Sequence, residues 1–224
     1  DGPLALSGDV RGFELDRLTP LLGDQRKLSG RLSGRLDFAG EITGTRRFPL
    51  IGGVANVFFG SVAGVPFTRL SLRSTPQGPR ELALQAELSD SAYAAKVEGT
   101  VTDLDPKAGT ARYALEGLLS SRDLGQVAPL AAPKVPALAE SEGTLSGQVS
   151  LTGRVVRRES GEDAGRLNPL ADLRGTASLH LGGAARSQLR IAGVDLDGAD
   201  LDLVADQNQV RIDRLEFATG STRV

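Results

Sequence analysis

The sequence predicts an all-β protein, an elongated curved sheet with one or two short helices, and three observations carry that expectation. The run from Leu28 to Ile42, LSGRLSGRLDFAGEI, alternates without a break, with leucine, glycine, phenylalanine and isoleucine at even positions and serine, arginine, aspartate, alanine and glutamate at odd ones. Successive side chains on a strand point to opposite faces, so this run has one apolar face with glycine gaps and one charged face. Alternating runs of the same kind recur between turn signals along most of the chain. Glycine is abundant at 28 residues, while aromatic residues make up only 4%; a compact sandwich fills its centre with aromatic bulk, and an elongated sheet needs less of it.

The elements follow in order. Leu4-Ala5-Leu6-Ser7-Gly8 and Val10 open as a short strand. From Phe13 the two-residue period is lost; Leu15, Leu18, Leu21 and Leu22 fall on one helical face, Gly23 supplies a stop, and Pro20 limits the helix to a turn or two. The strand from Leu28 comes next. At about 3.3 Å per residue it would reach roughly 50 Å, so Gly30 or Gly34 is where it is expected to bend or break. No charged residue lies between Arg47 and Arg69. Pro49, Gly52, Gly53, Gly60, Gly64 and Pro66 puncture that stretch, which predicts buried strands instead of a membrane-spanning helix. Beyond it, Leu82, Leu84, Ala86 and Leu88 oppose Glu81, Gln85 and Glu87; Tyr93, Ala95, Val97, Gly99 and Val101 oppose Lys96, Glu98 and Thr100; Ala111, Tyr113 and Leu115 oppose Arg112 and Glu116. The polar run from Arg157 to Arg166 reads as a loop. The chain returns to strands at Ala177-Leu179-Leu181, Leu189-Ile191, Val194-Leu196, Leu201-Leu203, Val210-Ile212 and Leu215-Phe217.

The opening pattern occurs twice. Ala5-Leu6, Gly8, Leu15, Leu18, Pro20 and Leu21 recur as Ala114-Leu115, Gly117, Leu124, Val127, Pro129 and Leu130, at a constant offset of 109 residues. Leu32-Ser33-Gly34, Leu36, Phe38 and Gly40 recur as Leu145-Ser146-Gly147, Val149, Leu151 and Gly153, at an offset of 113. A Pro-Leu pair follows each copy, Pro49-Leu50 and Pro169-Leu170. Order, spacing and glycine placement agree, which marks an internal repeat. Two β repeats are therefore expected, 1–113 with a helix near 15–23 and 114–224 with a helix near 124–132, joined in one continuous sheet.

Composition narrows the function. The net charge is −2, from Lys+Arg 26 against Asp+Glu 28, so there is no basic field to recruit nucleic acid, and partners are expected to be chosen by shape and apolarity. The absence of cysteine excludes disulfides, thiolate catalysis and cysteine-based metal sites. The chain starts at Asp1 and has no methionine; it is expected to be a fragment or processed product, with any signal peptide or membrane anchor outside it.

No phosphate loop, dinucleotide fingerprint, nucleophile elbow or zinc helix motif occurs. The single histidine, His180, sits on the polar parity of Ser178-Leu179-His180-Leu181 and is read as a solvent-facing imidazole, with a catalytic or metal role as the alternative. Asp195, Asp197, Asp200 and Asp202, with Asp206 beyond, form the best ligand-like cluster. Spaced carboxylates of this kind hold calcium. Their alternation with Val194, Leu196, Leu201 and Leu203 equally reads as a charged outer face, with Asp197-Gly198 as a hairpin turn that sets Asp195 opposite Asp200. Arg31 with Arg35, and Arg46 with Arg47, are candidate phosphate contacts or solubilising surface charges. No catalytic residue, metal site or cofactor is expected.

Two copies of a short helix followed by L-S-G-x-[LV]-x-[LF]-x-G, then Pro-Leu, then short amphipathic strands ending in Val210-Arg211-Ile212-Asp213-Arg214-Leu215-Glu216-Phe217, resemble the AsmA-like superfamily and, within it, the TamB family of translocation and assembly module subunits. The resemblance spans essentially the whole chain, on a degenerate motif of leucines and glycines at strand spacing. It implies a U-shaped sheet of the β-taco kind around an apolar groove, set in the periplasm of the cell envelope and tethered to the inner membrane by a segment outside this chain. It also implies a role in outer-membrane biogenesis, moving phospholipid between the inner and outer membranes or serving an outer-membrane assembly barrel. The groove would be lined by Leu28, Leu32, Leu36, Phe38, Ile42, Val57, Phe59, Leu82, Leu84, Leu145, Val149, Leu151, Leu201 and Leu203, with phospholipid acyl chains as the ligand. The alternative is a structural β-solenoid or protein-interaction module assisting outer-membrane protein assembly, because an open groove and a closed core need the same alternation.

Overall fold

The computed structural model describes residues 3–15, 17, 32–45, 48–62, 65–105, 108, 110–131, 141–157, 167–183, 188–191, 193–207, 209–219 and 222–223. They form β1 (Pro3–Glu14), β2 (Leu32–Thr45), β3 (Phe48–Val62), β4 (Val65–Gly78), β5 (Glu81–Ser89), β6 (Tyr93–Asp105), β7 (Thr110–Ser121), α1 (Leu124–Ala131), β8 (Thr144–Arg157), β9 (Leu167–Gly182), β10 (Leu189–Ile191), β11 (Val194–Leu196), β12 (Gly198–Asp206), β13 (Val210–Thr219) and β14 (Thr222–Arg223). The expectation of an all-β chain with little helix holds.

One antiparallel 12-stranded sheet takes the order β1-β2-β3-β4-β5-β6-β7-β8-β9-β12-β13-β14, and it does not close on itself. Each strand pairs with its sequence neighbour until β9, which pairs with β12, because β10 and β11 fold into a separate small hairpin. The two repeat copies lie in this one sheet, as β1-β2-β3 and β7-β8-β9. The line between Tyr113 and Ala114 falls inside β7, which is paired on both sides.

Bulges interrupt the strands at several places, and the alternation does not mark them. The register of β2 on β3 shifts between Ser33 and Arg35, at Gly34, and the described strand starts at Leu32. Among the described residues three other than glycine have positive φ: Phe59 at 52°, Asp103 at 53° and Asp172 at 52°. Each lies at a register shift, as an extra residue re-aimed by a bulge does. The stretch without charges forms β3 and the start of β4, and among the described residues no helix is long and apolar enough to cross a membrane.

Strands alternate in direction, so the connections that leave β1, β7 and β9 emerge at one end of the sheet. Both buried apolar clusters involve those connections. Leu15, just past β1, packs with Val57 and Phe67, against which Leu36, Leu70 and Leu88 are half-buried. Leu124, the first residue of α1, packs with Leu189 of β10, Leu196 of β11 and Ala199 of β12. The residue before α1 is Asp123, of the type favoured at a helix start; its carboxylate accepts a hydrogen bond from the Gln126 side chain at 2.8 Å. The helix expected near 124–132 is therefore α1. Of the one expected near 15–23, Leu15 and Arg17 have 3₁₀ geometry and the rest lies outside the described residues, as do the loop 158–166, Arg31, Arg46 and Arg47.

Candidate functional site

Registered partners on neighbouring strands share a face, so the pairing assembles rows of side chains across the sheet. One row runs from Val10 through Phe38, Ala55, Leu72, Ala86 and Val97, and continues through Gly117, Val149, Ala177 and Leu203 to Ile212. The row one step toward the end where β1, β7 and β9 terminate joins Phe13 to Leu215 by way of Leu36, Val57 and Leu201, and the row on the other side joins Gly8 to Val210 by way of Leu84, Leu115 and Leu151. None of the three rows contains a charged residue, and Ser74 is the one polar member.

This face is open. Leu72, in the middle of β4, is 41% exposed, and at the edges Ile212 reaches 58% and Val210 69%. Between these positions the large side chains of the face are half-buried, and apolar surface left uncovered in this way marks a ligand or interaction site. The glycines on it are not empty. A Cβ on Gly147 would stand 2.5 Å from Leu179 Cδ2, and one on Gly175 would stand 2.6 Å from Leu151 Cδ2. In each case the leucine is the registered neighbour, so a large side chain on one strand lies over the glycine of the next.

Of the residues expected to line a groove, Leu36, Phe38, Ile42, Val57, Leu82, Leu84, Leu145, Val149, Leu151, Leu201 and Leu203 share this face. Leu28 lies outside the described residues, and so does the side chain of Leu32. Phe59 is a correction. Its parity matches Val57, but it occupies the left-handed position at the bulge and its side chain turns out to solvent, 82% exposed. Leu72, Val97, Leu115, Leu179 and Ile212 belong to the face as well; the two-residue alternation of their strands is the signal for them.

The opposite face carries the charges, and they neutralise one another locally. Lys96 meets Glu98 at 3.3 Å, Arg154 meets Asp172 at 3.1 Å and Arg214 meets Glu216 at 2.8 Å. His180 is on this face, as its parity indicated, with Nδ1 2.7 Å from Asp200 Oδ1. A cavity of about 880 Å³ forms a trough on this charged side, bordered by Ser89, Ser120, Ser146, Gln148, His180 and Asp200.

The hairpin expected at Asp197-Gly198 does not form. The chain turns earlier, between β10 and β11, and Asp195 pairs with Arg190 at 2.8 Å, which holds the Asp195 carboxyl below its ordinary pKa. Asp200 instead faces His180 and Glu216 in register. The carboxylates are thus dispersed, and among the described residues no group of three histidine, cysteine, aspartate or glutamate side chains is placed to hold a metal. Asp90 is also held below its ordinary value, chiefly by the Ser91 hydroxyl, with Thr68 assisting and burial opposing.

Compared with known proteins, the chain matches no family model, no curated sequence and no solved structure.

Proposed function

We propose that this chain is a lipid-binding module whose uncharged face receives phospholipid acyl chains, and that it serves phospholipid transfer between the inner and outer membranes in outer-membrane biogenesis. The single observation that supports this reading is the face itself: three rows free of charge from β1 to β13, with Leu72 exposed in its middle. Each methylene removed from water contributes about 0.8 kcal/mol, so an acyl chain half covered by such a surface gains on the order of 5–10 kcal/mol without a specific polar contact. Charges paired on the other face keep that side in water. The periplasmic setting, the membrane tether and the outer-membrane assembly partner come from the AsmA-like resemblance and are proposed with it.

The test uses neighbours of opposite parity. A photo-crosslinking side chain at Leu72 is expected to capture phospholipid in cells, while one at Arg73, on the charged face, captures little. Phospholipid copurifying in native mass spectrometry of the unmodified chain is expected alongside. Equal capture at both positions, or none at Leu72, would overturn the lipid reading in favour of the structural or protein-interaction module.

A further inference from the structure

Phe59 carries two penalties that its own contacts do not offset. Its side chain is 82% exposed, and its backbone has φ 52°, a conformation that glycine, asparagine and aspartate tolerate and that is an outlier for a bulky side chain. The other two described residues of this kind, Asp103 and Asp172, are of the tolerant type. A strained residue that persists while its side chain packs on little points to a function at that position. Phe59 stands on the β3–β4 hairpin, which closes where Val62 pairs with Val65. No charge lies in sequence between Arg47 and Arg69, whereas Arg46 and Arg47 fall between β2 and β3, Arg80 between β4 and β5, and Asp90 between β5 and β6. The hairpin also projects. Arg69 pairs with Ser89, the last residue of β5, and β4 begins four residues earlier, at Val65; at about 3.3 Å per residue the tip reaches on the order of 10 Å past the end of β5. The Tyr93 hydroxyl donates to the Pro66 carbonyl and the Thr68 hydroxyl to Asp90, which brace it.

The charges at the base of this hairpin are cationic. On the charged face Phe58 is registered with Arg35 of β2 and Arg69 of β4, and Val54 with Arg73. All three arginines are exposed, and among the described residues none of them forms an ion pair; Arg69 donates to Asn56 at 3.0 Å instead. Elsewhere Arg112 meets Asp103 at 3.2 Å and Arg154 meets Asp172 at 3.1 Å. The carboxylates nearby are held by other groups, Asp37 by the Gly12 amide at 2.7 Å and Asp90 by Ser91 and Thr68, and Glu14 is registered with Arg35 without an ion pair. An apolar side chain that enters the boundary between headgroups and acyl chains by about 5–10 Å, over cations that meet anionic headgroups, is what a bilayer surface binds. We propose that the β3–β4 hairpin docks this chain onto an anionic phospholipid bilayer, with Phe59 inserted and Arg35, Arg69 and Arg73 on the headgroup phosphates. An acidic protein would match the arginines equally; the projecting uncharged tip favours the bilayer, which accepts an apolar side chain without a shaped pocket. This docking is independent of acyl-chain binding on the apolar face.

The chain has no tryptophan, so Phe59→Trp supplies a single reporter. On vesicles of phosphatidylglycerol and phosphatidylethanolamine its emission is expected to shift to the blue and to be quenched by lipids brominated along the acyl chain, with little change on phosphatidylcholine. Cosedimentation of the unmodified chain with the anionic vesicles shows that the new side chain does not create the binding. Phe59→Asn is expected to weaken partition about tenfold or more while raising the melting temperature of the free chain by about 2–4 °C, because asparagine relieves the backbone strain. Arg35→Gln together with Arg73→Gln is expected to weaken partition onto anionic vesicles on the order of tenfold. Capture at Leu72 from detergent-dispersed phospholipid is expected to be the same with and without Phe59→Asn, so that failure of either reading shows separately. No cosedimentation of the unmodified chain with anionic vesicles would overturn the proposal and leave an acidic protein as the partner. An unshifted Phe59→Trp emission, or partition unchanged in Phe59→Asn or in the double arginine variant, would overturn it as well.

Discussion

The two repeat copies carry large apolar residues and glycines at matching places and use them differently. In each copy the first leucine after the first strand is buried, Leu15 in the first and Leu124 in the second. Leu15 packs under residues of the sheet itself, Val57 and Phe67. Leu124 is covered by an added unit outside the repeat, the β10–β11 hairpin, which brings Leu189 and Leu196. That hairpin is fastened to the start of β8: Glu142 and Arg190 exchange backbone hydrogen bonds of 2.9 and 2.8 Å, and Arg190 holds Asp195. The motif glycines diverge too. Gly34 sits at a bulge with φ +121° and faces Val57 Cγ1, where its repeat counterpart Gly147 lies beneath Leu179. A repeated residue marks a position in the strand order, while its physical task depends on what the neighbouring strand presents.

The largest expected effect lies in the second copy. Leu189, fully buried at 0% exposure, loses its contacts in Leu189→Ala at a cost of about 2–5 kcal/mol. Hydrogen exchange should quicken across β10, β11 and α1 and stay unchanged in β2–β4; equal quickening in both regions would show that the clusters are one cooperative unit. Leu15→Ala is the mirror experiment, with a cost of about 2–3 kcal/mol and faster exchange confined to β3 and β4. Among the described residues its cluster has no added hairpin to collapse into the space, so a loss larger than that of Leu189→Ala would reverse the ranking of the two ends.

The glycine comparison predicts a smaller difference. Gly34→Ala meets Val57 Cγ1 at 2.8 Å and Phe58 O at 2.9 Å in a left-handed backbone conformation, while Gly147→Ala meets chiefly the movable end of Leu179, with Ser178 O at 2.7 Å. Both should destabilise, Gly34→Ala by about 1 kcal/mol more, measured as a difference in melting temperature. Equal losses would mean that the positive φ at Gly34 is not a constraint. Smallest is a pH effect at the β5–β6 turn. Asp90 accepts hydrogen bonds from Ser91 at 2.9 Å and Thr68 at 3.1 Å and titrates below its ordinary value. A carboxyl depressed in the folded state contributes stability above its unfolded pKa and loses it as pH falls through the folded one. Ser91→Ala should therefore raise the Asp90 pKa, seen by NMR titration, and lower stability slightly at pH 7 while leaving it unchanged in strong acid.

By itself the sequence determined the strands, their face parity and the repeat. Alternation is a local property, set by the two-residue geometry of an extended backbone, and Leu36, Leu84, Val149 and Leu203 were assigned to one face from their neighbours alone. Only the tertiary structure decided what depends on partners distant in sequence. Phe59 obeys the alternation and leaves the face, because a bulge against β2 puts it in the left-handed region. Asp195 and Asp200, five residues apart in sequence, end on different sheets, because β10 captures β11 and Leu189 is buried only when it does. Pairing register, bulges and the cover over Leu124 arise from contacts between segments, and side-chain parity within one segment holds no record of them.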